Sequence, residues 1–350
     1  MKARKKLPKI SVIIPAYNSE KTIKQTIQSV LNQTFTNLEL IVINDGSQDS
    51  TLEVVTQFQD SRIKVFSYAN AGGNVSRNRG LNHAVGEFVS FLDADDLWTP
   101  DKLRSQLKAL QANVTAKVAY GWTDYIDING KFLLSGKRIN LNGNIYEELL
   151  LNNFLENGSN PLICKKALIT LGGFDESLNA AQDWDMWLRL ASKFDFICVP
   201  SVQILYRISA NSVSSNLARQ EKACLQVLGK AYKERPSTVR NSWSISLANL
   251  YKYLACKALQ KPFNRQKSLS SVRFLWKYFL NDPSKLENIN FTLKLFLKIV
   301  IIFISPTLFY GIINRRNARN QEPERLLNIW VVENRPERKN VYPGAFTISS

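Results

Sequence analysis

The most constraining feature of this chain is a series of short, almost uninterrupted apolar runs separated by helical patterns through its first 125 residues. "KISVIIPAYN", "LELIVINDGS", "RIKVFSYAN" and "EFVSFLDADD" each read as a strand that leads into polar residues. Between the first two, Ile23, Ile27, Val30 and Leu31 recur at helical spacing within residues 19–32, and residues 74–84 read as another short helix. Strands that are apolar on both sides need cover on both sides, which helices supply in a mostly parallel sheet. The expected class is α/β: a doubly wound, mostly parallel sheet with helices on both faces. Two helix starts follow from local chemistry. Ser50 and Glu53 stand at capping-box spacing, and Thr99 reads as an N-cap with Pro100 at the first helical position.

Ligands of such sheets bind beyond the carboxyl ends of the strands. Asp45 ends one strand, and Asp93, Asp95 and Asp96 crowd the end of another in "FLDADDLWTP". Carboxylates this close repel unless solvent or a cation separates them. A solvated turn is one reading. The buried strand ahead of Asp93 and the motif's place on the rim favour the other, in which Asp93 and Asp95 share a divalent cation completed by phosphate oxygens and water. Asp45 suits the N3–H of uracil, although guanine N1–H satisfies the same acceptor. It also reads as a simple turn residue before Gly46.

Composition narrows the metal. The four cysteines, Cys164, Cys198, Cys224 and Cys256, form no C-x-x-C pair, and His83 is the single histidine. That excludes thiolate and histidine-rich centres and leaves an oxygen-bound hard cation, Mg²⁺ or Mn²⁺. His83 reads as structural. The basic start "MKARKKLPKI" is followed by an apolar run too short for a secretion signal, so a cytoplasmic protein is expected.

"SVIIPAYNSEKTIKQTIQSVLNQTFTNLELIVINDGSQDST", "GNVSRNRGLNHAVGEFVSFLDADD" and "GGFDESL…QDWDMWLRLA" occur in an order that resembles the family 2 glycosyltransferases of GT-A fold, over roughly residues 9–215. The resemblance implies inverting transfer from a nucleotide sugar, usually UDP-linked, assisted by Mn²⁺ or Mg²⁺. It implies that Pro15, Tyr17 and Asp45 frame the base and ribose and that Arg77 faces the nucleotide. By the same carry-over Asp93 holds the ribose or supports the metal, Asp95 binds the metal, and Asp96 is a structural turn residue. The family's base is the second of two acids before an aromatic; here the segment is Gln182-Asp183-Trp184, so Asp183 inherits that role. Gln182 replaces the first acid. Asp185 is the rival base and an acceptor contact, and Trp184 is either a platform for the acceptor sugar or a core residue, as is Trp187. Relatives often carry a histidine shortly after the pair that is Tyr206-Arg207 here; this chain has Ile208 and Ser209, while Arg207 is expected to neutralise diphosphate.

Residues 1–220 carry 24 Lys/Arg and 21 Asp/Glu, whereas residues 221–350 carry 22 and 8. The C-terminal part is therefore expected to face something anionic. The expected organisation is a GT-A domain over 1–215, a helical extension over 216–290, a basic and apolar segment over 291–316 and a polar tail over 317–350. The apolar run 299–313, with Lys294 and Lys298 before it and Arg315 and Arg316 after, is short for a span and interrupted by Pro306. A helix lying on anionic lipid fits it best; a buried helix and a single span are the alternatives.

The expected protein is a glycosyltransferase on the inner face of the membrane. It takes a nucleotide-sugar donor and a glycan or lipid-linked acceptor, in the manner of surface polysaccharide synthesis. Two rivals were weighed. A sugar-1-phosphate nucleotidyltransferase needs a Gly-rich basic phosphate loop near its start, and "SVIIPAYNSEKT" has none. A nucleic-acid binder would leave the acidic rim without a purpose, so no nucleic acid is expected as a partner.

Overall fold

The computed structural model describes residues 7–208, 216–234, 242–260, 263–282, 289–307 and 309. The strands are β1 (Ile10–Ala16), β2 (Leu38–Asn44), β3 (Ile63–Ser67), β4 (Phe88–Phe91), β5 (Leu97–Trp98), β6 (Ala116–Ile126), β7 (Phe132–Ser135), β8 (Leu162–Cys164) and β9 (Asp195–Arg207). They form one sheet in the order β3-β2-β1-β4-β8-β6-β9-β5, with β7 paired to β6. The first four are parallel, Ile13 lying opposite both Ile41 and Phe91. Beyond β4 the sheet is mixed: β8 runs antiparallel to β4 and β6, while β9 runs parallel to β6. β6 and β7 form a hairpin across the segment "DYIDINGKF".

The helices are α1 (Ile23–Leu31), α2 (Thr51–Thr56), α3 (Gly73–His83), α4 (Lys102–Ala112), α5 (Tyr146–Leu151), α6 (Lys165–Thr170), α7 (Gln182–Ala191), α8 (Leu217–Glu234), α9 (Trp243–Ala258), α10 (Arg265–Asn281) and α11 (Ile289–Ile304). Alternation along the strands decides where they pack. Val12, Ile14, Leu40 and Val42 meet α1 and α4 through Ile27 and Leu103. Ile13, Ile41, Ile43 and Phe91 meet the opposite layer, which holds Leu81, Trp187, Leu228, Leu254 and Phe274. Both sides of the apolar runs are thus covered, as expected. The second core continues without a break from the sheet into α8–α11.

Of the two expected helix starts, Ser50 stands at the N-cap of α2 but without the side-chain bond, and α4 begins later than Thr99 and Pro100 suggest. Ser50 makes no side-chain cap; Asp49 takes the Thr51 amide instead, and the Ser50 amide donates to Glu20. α4 starts at Lys102, because the Thr99 hydroxyl donates to the Val202 carbonyl and ties the chain to β9. In each case a long-range partner outcompetes the local cap. His83 is structural as expected: its ring stacks on Phe66 at 3.7 Å and Nε2 meets the Tyr68 hydroxyl at 2.7 Å. Ser209, Arg315, Arg316 and the tail from 317 lie outside the described residues.

A buried loop, residues 157–160, joins the two halves of the sheet. Asn157 donates to Thr123, and the Trp98 indole donates to the Ser159 carbonyl. The Asn160 side chain accepts from the Gly121 amide at 2.8 Å and donates to the Gly121 carbonyl at 2.9 Å. Asn160→Leu keeps the volume and orphans both groups. At roughly 1–3 kcal/mol for each buried unsatisfied group, the variant should unfold at a clearly lower urea concentration. An unchanged midpoint would show that this loop contributes nothing to stability.

Candidate active site

The carboxyl ends of β1, β2 and β4 form one rim because those strands are adjacent and parallel. Pro15 is at the end of β1, and Tyr17 just beyond it is 48% exposed. Asn18 turns with φ +48°, its backbone amide donating to the Ser47 hydroxyl and its side-chain Oδ1 accepting from the Gln48 amide. The loops after β1 and β2 are therefore laced together.

Asp45 is buried beneath residues 70–72. Its oxygens accept from the Ala71 amide at 3.0 Å and the Gly72 amide at 2.8 Å, and Arg79 lies 3.3 Å away. Gly46 (φ +71°) is required here: a Cβ would stand 2.8 Å from the Asn70 amide nitrogen. A nucleobase edge would have to compete with this strap for the carboxylate.

The acidic cluster after β4 divides its three carboxylates. Asp96 is fully buried, accepting from the Ser159 hydroxyl at 2.6 Å and the Arg207 amide at 3.0 Å. Burial, with Asp95 and Asp93 nearby, pushes it well above the usual carboxylate range. Asp93 is partly exposed and receives Arg77 at 2.5 Å; its own amide donates to Ser159. Asp95 is pushed up to about 6, first by burial and then by Asp93, with Arg207 and Arg77 only partly offsetting the crowding. Arg207 is buried differently from expectation. Its guanidinium donates to the carbonyls of Asp95, Asp127 and Ile128 and to Gln25, so it is committed to the scaffold and unavailable to a diphosphate.

Asp183 stands in the first turn of α7, facing this cluster across Gly158. A Cβ on Gly158 would lie 3.8 Å from Asp93 Oδ2, 3.9 Å from Arg77 Nη2 and 4.0 Å from Asp183 Cβ. The Asp93 carboxylate, the Arg77 guanidinium and the Cβ of Asp183 thus converge on the open side of Gly158, each at van der Waals distance from where a Cβ would stand. Burial, then the charge of Asp93, raises Asp183, while the Trp184 amide and Arg77 pull it down. The helix opens from Ala181 in the left-handed region at φ +54°, a conformation that costs a residue with a Cβ on the order of 1 kcal/mol.

Two expected acceptor contacts point elsewhere. Trp184 is buried with its indole N–H on the Leu149 carbonyl at 2.7 Å. Asp185 is buried against Arg189 at 2.8 Å, one turn along the same helix. Both belong to the inner face of an amphipathic helix, as does Trp187. A group that sequence reasoning missed lies two residues before Gly158 in the chain. Glu156 holds φ +71°, and its oxygens accept from the Tyr125 hydroxyl and the Lys137 amide, each at 3.2 Å. Burial raises its carboxyl to about 7. Tyr125 packs edge-on against Tyr206, which feels the charges of Asp96, Asp95 and Asp93. Glu156 and the acidic rim are therefore joined by a wall of two tyrosines. Only its flanking "NGSN" hinted at an irregular loop.

The donors at the rim are all hard oxygens. Among the described residues no group of three His, Cys, Asp or Glu side chains could hold a metal by itself. Asp93 and Asp95 thus suit a cation whose remaining ligands come from a substrate and water, rather than a closed protein site.

Residues 11–258 match the model of a family described as glycosyltransferase like family 2. The Escherichia coli UDP-Glc:alpha-D-GlcNAc-diphosphoundecaprenol beta-1,3-glucosyltransferase WfgD is 34% identical over 228 residues, 63% of this chain and 85% of that one. The mannosyltransferase PcManGT of Pyrobaculum calidifontis, solved with GDP-Man and Mn²⁺, superposes with a TM-score of 0.53 at 18% identity, over 85% of this chain and 87% of that chain. Staphylococcus aureus TarS 1-349 with UDP-GlcNAc superposes with a TM-score of 0.52 at 18% identity, over 80% and 92%. The folds agree.

A carboxyl whose proton affinity is raised by folding holds more protons when folded than when unfolded, so charging it opposes folding as pH rises. For Glu156 the window runs from the ordinary glutamate range up to about 7. Glu156→Gln should therefore raise the melting temperature at pH 8 and lose that gain towards pH 5. The difference should be on the order of 1–3 kcal/mol, read by thermal denaturation at both pH values. An equal effect at the two would show that Glu156 ionises normally.

Proposed function

Since the chain belongs to the glycosyltransferase-like family 2, we propose that it moves a sugar from a UDP-linked donor to a hydroxyl of a lipid-linked glycan, with inversion, at the cytoplasmic face of a membrane. The observation that carries this reading is the convergence of Asp93, Arg77 and Asp183 on Gly158 from three separate elements. Donor and acceptor chemistry need to meet at one point, and this is the point at which the rim carboxylates and the α7 carboxylate share space. The UDP-sugar and the diphosphoundecaprenol acceptor in the name of the E. coli relative support the choice of substrates.

In this reading Pro15, Tyr17 and Asp45 frame the uridine, with the 70–72 strap yielding part of its hold on Asp45. Asp93 is held by Arg77 and faces the ribose and metal, while Asp95 is the principal metal ligand. Mn²⁺ or Mg²⁺ bound there supplies positive charge to the nucleoside diphosphate leaving group. Asp183 takes the proton of the acceptor hydroxyl as its oxygen attacks the anomeric carbon from the face opposite the diphosphate. The C1–O bond to the diphosphate breaks as the new glycosidic bond forms, and the leaving diphosphate keeps the electron pair. A base near neutrality is well matched to that proton transfer, and burial moves Asp183 in that direction. Arg77 limits the shift, so the carboxylate stays available as an acceptor of protons. Gly158 excludes a side chain from the place the anomeric centre needs.

Calorimetric titration should show UDP binding that depends on Mn²⁺ in the wild type and is lost in Asp95→Ala, with GDP weaker; tighter GDP binding would transfer the donor assignment to GDP-sugars. Asp183→Asn should keep UDP binding and lose transfer by roughly 10²–10⁴-fold, the usual contribution of a positioned base. Transfer within tenfold of wild type would remove Asp183 from that role.

A further inference from the structure

α10 and α11 are laid against each other at the edge of the fold, and Arg265 at the start of α10 donates to the Phe303 and Ile304 carbonyls at the end of α11. Each helix buries one face. Phe274, Leu275 and Tyr278 of α10 and Leu295, Ile299 and Ile302 of α11 enter the core. The opposite faces are also apolar. On α10, Leu269, Trp276 and Leu280 recur at one- and two-turn intervals, 55%, 66% and 62% exposed. On α11, Phe296, Leu297 and Ile304 are 54%, 58% and 66% exposed. Nine of the eighteen large apolar side chains exposed among the described residues belong to these two helices. That is a patch, not the scatter normal for a soluble surface.

The charge around the patch has one sign. The two helices carry Arg265, Lys267, Arg273, Lys277, Lys294 and Lys298 and no carboxylate. Arg273 and Lys277 both pair with Glu221 of α8, so at that point two cations meet one carboxylate. No helix among the described residues is long and apolar enough to cross a membrane. An apolar stripe with basic flanks on a helix too short to span is the pattern of a helix lying in a lipid interface, and Trp276 is the side chain best suited to the headgroup level.

We infer that the joint outer face of α10 and α11 is a docking surface for an anionic phospholipid bilayer, with Trp276 and Phe296 as its apolar anchors. This rests on the lipid-linked acceptor proposed above, and extends it. The contact is made by two helices rather than by the apolar run after residue 299 alone. Two weak signals combine here, apolar insertion and attraction of Lys and Arg to acidic headgroups, each insufficient for stable anchoring by itself. Because these helices share a core with the sheet, docking on this face also fixes how the catalytic rim stands relative to the bilayer that holds the acceptor.

The test is co-flotation of the full-length chain with phosphatidylcholine vesicles with and without phosphatidylglycerol, beside UDP titration of the same samples. Wild type should float with the phosphatidylglycerol vesicles, more weakly at high salt. The double variant Trp276→Ser, Phe296→Ser should lose at least about tenfold in partitioning, given the free energy of two inserted apolar side chains, with UDP binding unchanged. The single variant Leu280→Ser guards against a folding defect and should show a smaller loss in the same direction. Undiminished flotation of the double variant, or binding indifferent to phosphatidylglycerol, overturns the inference. So does a wild-type dimer that the double variant dissociates, since a second copy would then cover the face. Failure of UDP to bind the wild type would overturn the donor reading and leave the flotation result standing.

Discussion

The buried carboxylate of Asp96 is the interaction on which the rest of the site depends. It accepts from the Ser159 hydroxyl, 63 residues on, and from the Arg207 amide, 111 residues on. One side chain thereby binds the end of β4 to the loop before β8 and to the end of β9. The neighbouring bonds extend the same joint: Ser159 receives the Asp93 amide, and Arg207 reaches the Asp95 carbonyl. A buried carboxylate is costly; these partners offset only part of that cost for Asp96, and the same joint fixes where Asp93 and Asp95 stand beside it.

From that joint the electrostatics of the site follow. Three acids within four residues, with Asp183 facing them, give a surplus of negative charge that Arg77 only partly balances. Arg207 contributes through its nearness, its hydrogen bonds going to carbonyl oxygens. Such a surplus of negative charge is consistent with the divalent cation proposed for this site. The same crowding keeps Asp183 from being as acidic as a surface aspartate, which suits the base role proposed for it.

Some of this was legible along the chain and some was not. The four parallel strands and their helices were readable because continuous apolar runs leave only one way to bury both sides. Asp45 and the acidic cluster were readable because strand ends in such sheets form the rim. The capping expectations at Ser50 and Thr99 failed for a common reason. A cap is a local bond worth about 1 kcal/mol, and a tertiary partner such as the Val202 carbonyl displaces it easily. Trp184 and Asp185 misled because a helix presents neighbouring residues in different directions. Asp183 faces Gly158, whereas the next two residues turn inward.

What the sequence alone determined is the layering of the fold, the oxygen chemistry of any metal it holds, the family resemblance that selected Asp183, and a basic C-terminal third. These depend on composition and on short-range periodicity, which survive in a one-dimensional reading. The tertiary structure alone decided that Gly158 is the meeting point of Asp93, Arg77 and Asp183, that Arg207 belongs to the scaffold, that Glu156 is strained and desolvated, and that α10 adds its apolar face to that of α11. Each of these arises from groups far apart in the chain brought within a few ångströms, where burial and charge act through space and not along the backbone.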